Sequence, residues 1–267
     1  RLLPGGLLAH GLAVRGRSPG VWPREVGSDG ERQIVRNAPG HVGEMRWWLR
    51  RIPADTQAVV MENSAVQPEL QNLAARWLRP SLTVWTNARE DHQDAWGLGP
   101  RAAVDALLRG ISGEGILLLS AELARCPYLM KKLAGRKTPT IVLEYDGVDF
   151  RAANLQLAVR ALSLLGMESG VSLRAMRELP PDIADFRVFS LGEGTALASA
   201  FSANDLASTE VLFDLLGWCE TDTSLLFSDR SDRFARRKAF APFLHRPWRD
   251  TLIVNDRMDP VGLSAWM

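Results

Sequence analysis

Leu82-Thr83-Val84-Trp85-Thr86-Asn87-Ala88-Arg89-Glu90-Asp91-His92-Gln93-Asp94 is a short apolar run followed at once by residue types that bind metals and nucleotides. The apolar part reads as a buried strand. The polar part then stands at that strand's C-terminal end, where ligands bind in open α/β sheets. The arrangement recurs along the chain. Glu62-Asn63-Ser64 follows Ala58-Val59-Val60-Met61, and Ser202-Ala203-Asn204-Asp205 follows a run ending at Phe201. Ser228-Asp229-Arg230-Ser231-Asp232-Arg233 follows Leu225-Leu226-Phe227, and Asn255-Asp256-Arg257 follows Leu252-Ile253-Val254. Turn chemistry alone also puts Asn, Asp and Ser after strands. The recurrence therefore argues for an α/β fold and leaves the role of each cluster open.

The alternation predicts βα units and a mainly parallel sheet. Strands are expected near 57–61, 82–85, 115–119 and 140–143, with helices near 41–51, 67–78, 100–110, 122–134 and 151–165. The 151–165 segment, which includes Asn154, is amphipathic and suited to packing on a sheet. Trp47-Trp48 reads as ordinary helix packing. Gly16-Arg17-Ser18-Pro19-Gly20 and the stretch from Gly27 to Gly30 read as loop and turn. Pro180-Pro181-Asp182 is the best linker. Beyond it, strands are expected near 186–191, 196–201, 224–227 and 251–254, separated by helices near 205–217 and 231–244. This gives two α/β domains, 1–181 and 182–267.

The chain has 267 residues, enough for one large or two ordinary domains with real cores. A net charge of +1 gives no global field favouring nucleic acid or anionic lipid. Cys126 and Cys219 are far apart, which suggests a reducing compartment and no disulfide framework. The four histidines, at 10, 41, 92 and 245, lack zinc-type spacing. No apolar run approaches the ~20 residues of a membrane-spanning helix. The chain starts at Arg1 and enters Leu2-Leu3 and Leu7-Leu8 as if in mid-helix, and it stops soon after a strand. We expect a fragment of a longer protein.

Glu62 directly abuts four apolar strand residues. Such a carboxylate either reaches solvent at the strand end, or is paired, or holds a metal. His92 is the one histidine set among carboxylates, and it is either structural or a ligand. Hard oxygen ligands with one imidazole suit Mg²⁺ or Mn²⁺ rather than structural zinc. Adjacent parallel strands would bring Glu62 and His92 into one site. Residues 230–249 carry seven basic side chains interleaved with Phe234, Phe240, Phe243 and Trp248. That pattern fits an amphipathic helix with its aromatics inward, a nucleotide-phosphate contact from one or two arginines, or a nucleic-acid surface.

Thr86 to Asp94 closely resembles the Thr-Asn-x-x-x-Asp-His-x-Asp signature of the Mur ligase and folylpolyglutamate synthase superfamily. Val60-Met61-Glu62-Asn63-Ser64-Ala65-Val66-Gln67-Pro68-Glu69-Leu70-Gln71 resembles a segment of one branch, the capsule-type poly-γ-glutamate synthase ligase subunit. Ala200-Phe201-Ser202-Ala203-Asn204-Asp205-Leu206-Ala207-Ser208-Thr209 and Asp229-Arg230-Ser231-Asp232-Arg233 resemble two more segments of that branch. Pro23 and Asp29-Gly30 fit its loop after the first helix. The resemblance implies a mainly parallel, P-loop-like Mur ligase central domain, here incomplete, and a smaller Rossmann-like C-terminal α/β domain. It implies that Glu62, His92 and the loop residue Ser18 bind magnesium. It implies that Asn87, Asp91, Asn154, Asn204, Asp205, Arg230 and Arg233 serve the nucleotide, with Glu62, His92 and Asp205 catalytic.

Two departures from the superfamily stand out. No GxxxxGK[ST] loop occurs; the stretch from Leu2 to Gly11 resembles the helix that would follow it, so we expect the loop just before Arg1 and weak ATP binding by the chain as given. Mur ligases carry a carbamylated lysine about fifteen residues past the metal histidine, but Ala103-Val104-Asp105-Ala106-Leu107-Leu108-Arg109 stands there, as expected for the capsule-type branch. The resemblance implies an ATP- and Mg²⁺- (or Mn²⁺-) dependent ligase that activates a carboxylate as an acyl phosphate and joins it to glutamate. Its partners would be glutamate or a poly-γ-glutamate chain and small membrane subunits, with no nucleic acid. Its place would be cytoplasmic, at the inner face of the membrane through those subunits. The alternatives are a folylpolyglutamate- or cyanophycin-type ligase and a non-catalytic subunit of a polymer-synthesis complex.

Overall fold

In the computed structural model the described residues are 1–255, apart from 21–22, 37–41, 146, 148–149, 183–184, 201 and 230–233. The chain forms two compact units. The first holds Arg1–Ala88 and Pro100–Pro181; the second holds Arg89–Gly99 and Asp182–Met267.

The first unit opens with α1 (Leu2–Ala9), β1 (Val14–Ser18), β2 (Arg24–Gly27), β3 (Gly30–Gln33), α2 (Val42–Leu49), β4 (Ala58–Met61), α3 (Pro68–Leu78) and β5 (Leu82–Trp85). After α4 (Gln93–Trp96), which groups with the second unit, come α5 (Pro100–Leu108), β6 (Ile116–Leu119), α6 (Ala121–Ala124) and α7 (Pro127–Ala134). β7 (Thr140–Val142), α8 (Phe150–Leu164) and α9 (Ser169–Glu178) complete it. The strands pair in the orders β3-β2-β1-β4 and β5-β6-β7. β5, β6 and β7 are parallel, β1 and β4 are parallel, and β2 runs antiparallel to both its neighbours.

β6 shows why the sheet forms. Leu117, Leu118 and Leu119 are each fully buried. Leu117 and Leu119 pack with Val104, Leu108, Leu123, Leu129 and Leu133 of α5, α6 and α7. Leu118 points the other way, onto Leu157 and Ala161 of α8. A parallel strand covered on both faces reads as a continuous apolar run. α8 also reaches the other sheet, where Ala158 and Leu162 pack with Leu7, Val14 and Met176. One helix layer thus spans both strand groups.

Several expectations are corrected. The stretches read as loop and turn contribute to β1, β2 and β3, and the turn proper is confined to residues 28–29. Arg15 and Arg17 hid the strand because their charges are neutralised by Glu25, Asp29 and Glu44, which lie elsewhere in the sequence. β4 pairs with β1 and β5 with β6, so β4 and β5 are not paired neighbours among the described strands. Neighbours in sequence had been taken for neighbours in the sheet. The helix expected near 122–134 breaks at Cys126-Pro127 into α6 and α7. α9 was not expected at all.

The second unit adds β8 (Arg187–Gly192), β9 (Thr195–Ser199), α10 (Leu206–Leu216), β10 (Ser224–Asp229), α11 (Phe234–Leu244) and β11 (Asp250–Asn255). β8 and β9 form an antiparallel hairpin turned through Gly192, Glu193 and Gly194, all at positive φ. β10 and β11 are parallel and joined through α11. Phe240, Phe243 and Trp248 are buried, so the basic-aromatic stretch is an amphipathic element with its aromatics inward. Its arginines are engaged: Arg237 with Asp229, Arg246 with Glu210 and Glu220, and Arg236 with the Ala203 carbonyl.

Candidate active site

Within the first unit, two of the expected metal residues stand together. The β1–β4 register pairs Arg17 with Met61, so Ser18 and Glu62 are the next residues at the C-terminal ends of adjacent parallel strands. The Glu62 N–H donates to the Arg17 carbonyl at 3.5 Å. Val14 and Val60 pack with α1, while Met61 packs with α2 and α3. Strand alternation therefore turns Glu62 and Ser18 to the α1 face. Residue 1, which precedes α1, lies near the Glu62 carboxylate.

Glu62 is exposed at the end of β4, and the surrounding protein partly desolvates its carboxylate. Desolvation raises its carboxyl above the ordinary range, with the Arg17 charge opposing. The turn after it is locked: Asn63 Nδ2 donates to Gln71 Oε1 at 2.7 Å, Gln71 Nε2 donates to the Ala65 carbonyl at 2.5 Å, and Asn63 Oδ1 accepts from the Ala65 N–H. Gln71 is buried, so this closed network fixes the direction in which the chain leaves Glu62. Arg17 is buried too and pairs with Glu44, which also holds Arg36 through two hydrogen bonds of 2.7 and 2.9 Å. The hydrogen bonds from Arg36, then from Arg17, keep the Glu44 carboxyl below its usual range. Arg36 also donates to the Pro19 carbonyl, tying down the residue after Ser18.

Asn87 is exposed just past β5, and its carbonyl accepts the Trp85 indole N–H at 2.8 Å. Asn154 is exposed on α8.

In the second unit, His92 adopts a left-handed backbone (φ 46°, ψ 41°), which for a non-glycine residue stores strain of the kind found at functional sites. Its N–H donates to Asp91 Oδ1 at 2.8 Å, and its Nε2 lies 3.5 Å from Asp91 Oδ2. The Trp96 ring leans on the imidazole with centroids 5.3 Å apart. Asp91 and Trp96 thus orient His92. α4 packs against α11. Arg89 donates to Ser208 Oγ and lies 3.7 Å from Asp205 Oδ1. These contacts explain why Arg89–Gly99 groups with the second unit. Glu62 and His92 therefore belong to different units.

Asp205 is the N-cap of α10. Its carboxylate accepts the Ser208 N–H at 2.8 Å and the Ser208 hydroxyl at 2.6 Å. We expect Asp205→Ala to cost about 1 kcal/mol through the lost cap, with a smaller cost for Asp205→Asn, both read by thermal unfolding. Asn204 is exposed beside it. Arg230 and Arg233 lie outside the described residues.

Sequence reasoning missed Arg17, Glu44 and Arg89. The signal for Arg89 was present, because it lies inside the motif, but its partners are more than a hundred residues away. Among the described residues, no three His, Cys, Asp or Glu side chains gather as a metal cage. No helix of the described residues is long and apolar enough to cross a membrane.

Residues 186–259 match the family model described as the poly-gamma-glutamate synthase CapB C-terminal domain. No curated protein sequence matches the chain. Among solved structures, MurF from Acinetobacter baumannii aligns with a TM-score of 0.63 at 11% identity, over 94% of this chain and 60% of that one. The L. casei FPGS complex with AMPPCP and folate aligns with a TM-score of 0.62 at 11% identity, over 99% of this chain and 80% of that one. E. coli FolC with DHPP and ADP aligns with a TM-score of 0.59 at 12% identity, over 99% and 77%. The chain has the mixed α/β fold of these Mur ligase and folylpolyglutamate synthase structures. It spans about 60% of the length of the MurF chain.

Proposed function

We propose that this protein is an ATP-dependent acid–amino acid ligase of the poly-γ-glutamate type, working with Mg²⁺. One observation carries the reading: Ser18 and Glu62 share the ends of adjacent parallel strands. A carboxylate with a hydroxyl suits a hard cation that keeps some of its own waters. Mg²⁺ needs only one or two protein oxygens when substrate phosphates supply the rest. Bound there, the metal would neutralise phosphate charge while a carboxylate attacks it. The chain's own residues do the positioning. The Asn63–Gln71 network and the Arg17–Glu44–Arg36 cluster hold Glu62 and Ser18 in place before substrate arrives. We assign His92, oriented by Asp91 and Trp96, to metal binding as well, and Asn87, Asn154, Asn204 and Asp205 to the nucleotide.

The match at residues 186–259 supports glutamate as the substrate and a poly-γ-glutamate chain as the product. On this reading the protein works in the cytoplasm, where ATP is supplied, beside small membrane subunits. The test is phosphate release by the gene's full-length product with ATP, Mg²⁺ and each of the twenty amino acids. Release with glutamate alone is the expected outcome. Release only with a folate substrate present, or only with another amino acid, would replace poly-γ-glutamate with a sister activity. No release under any condition would sink the ligase reading.

A further inference from the structure

Trp47 and Trp48 do not behave alike. Trp48 is buried, whereas Trp47 is 48% exposed, so the sequence expectation that both pack in the helix holds for one only. The Arg51 guanidinium lies 4.0 Å from the centroid of the Trp47 ring. On the neighbouring helix α3, the Trp77 ring carries Arg46 at 5.7 Å. Arg46, Arg50, Arg51 and Arg76 are all exposed, and none has a carboxylate within ion-pairing reach among the described residues. Elsewhere in the same unit Arg15, Arg17, Arg36 and Arg79 each hold one. In a chain whose net charge is only +1, Arg46 on α2, Arg50 and Arg51 just past its end and Arg76 on the adjoining α3 are four exposed, unneutralised arginines at two packed helices.

We propose that this α2–α3 face is a docking surface for a polycarboxylate chain. The choice of occupant follows from what the surface offers. A guanidinium held over an indole face still has N–H donors to offer, and its fork matches a carboxylate. Both tryptophans already carry a cation, so neither is presented bare for base stacking or for insertion into a lipid surface. Among the described residues no other large apolar side chain is exposed on α2 or α3. The inference rests on the ligase reading for one step: the product of that reaction would carry a free carboxylate on every unit. A surface that grips the finished part of such a chain raises the effective concentration of its growing end.

The test is binding of a fluorescein-labelled poly-γ-glutamate to the full chain, followed by fluorescence anisotropy without ATP or metal. Saturable binding that weakens as salt rises is expected. Arg50→Glu combined with Arg51→Glu should weaken it by about tenfold or more. Arg174→Glu with Arg177→Glu, an equal charge change at exposed positions on α9, should leave it unchanged. All four positions are exposed, so folding is spared. The proposal is overturned by no binding, by equal losses in both double variants, or by tighter binding of arbitrary DNA or of phosphatidylserine vesicles than of the polymer. Phosphate release is measured separately. Turnover without polymer binding removes this surface and leaves the ligase reading. Polymer binding without turnover does the reverse.

Discussion

Glu62→Gln is expected to abolish turnover while leaving the protein at least as stable as the parent. The amide keeps the size of the side chain and loses the negative charge. If Glu62 holds the metal, several kcal/mol of transition-state stabilisation go with that charge, and the rate falls by about a thousandfold or more. Stability should move the other way. Desolvation raises the Glu62 carboxyl in the folded protein. The folded state then keeps this proton to a higher pH than the unfolded chain does. Ionised Glu62 therefore weighs against folding at neutral pH, and the penalty fades as pH falls through the raised value. The Tm of Glu62→Gln at pH 7 should equal or exceed that of the parent, and the gap should close in mildly acidic buffer. Near-normal phosphate release by the variant would remove Glu62 from the metal site. Lost activity together with a lowered Tm would mean that the side chain serves the fold instead. His92→Ala is expected to lose activity as severely.

The fold was legible where one face of an element meets one apolar layer. Leu117-Leu118-Leu119 and Leu82-Thr83-Val84-Trp85 announce buried parallel strands, and the structure places both in the β5-β6-β7 sheet. Legibility failed where charges are neutralised at long range. Arg15 and Arg17 read as a polar loop because Glu25, Asp29 and Glu44, the groups that let them lie in a strand, stand 10 to 27 residues away. The site divides in the same manner. Glu62 was visible as a carboxylate at a strand end, and the β1 register now gives it Ser18 as a neighbour. The expected adjacency of Glu62 and His92 rested on sheet order, which a strand pattern does not encode. Arg89 carries the motif's second half into another unit through Asp205 and Ser208, and no local pattern reports such a tie.

Gly115→Ala is expected to cause the largest stability loss of any single-methyl change at the β5-β6-β7 sheet. Gly115 has φ +78°, in the left-handed region, and immediately precedes β6. A Cβ there would meet backbone, namely the carbonyl oxygens of Pro80 and of Ser81, the latter at 2.6 Å. The Ser81 carbonyl already accepts the N–H of Ile116, so it cannot retreat without loosening the start of the β5–β6 pairing. Backbone strain and overpacking each cost about 1–3 kcal/mol, and together they should remove about 3 kcal/mol. For a domain of this size that is a fall in Tm of about 6–12 °C. Gly113 provides the control two residues earlier: its added Cβ would meet nothing, and its φ is not in the left-handed region. Gly113→Ala should leave the Tm unchanged or raise it slightly, because alanine narrows the unfolded ensemble. If both variants melt like the parent, the chain does not enter β6 through this close approach. If both fall equally, the loop dislikes any side chain, and the specific clash with Pro80 and Ser81 is refuted. Gly115 leads into β6, which belongs to a different sheet from the β1 and β4 strand ends that carry Ser18 and Glu62, so whatever Gly115→Ala remains folded at low temperature should keep the activity proposed for that site.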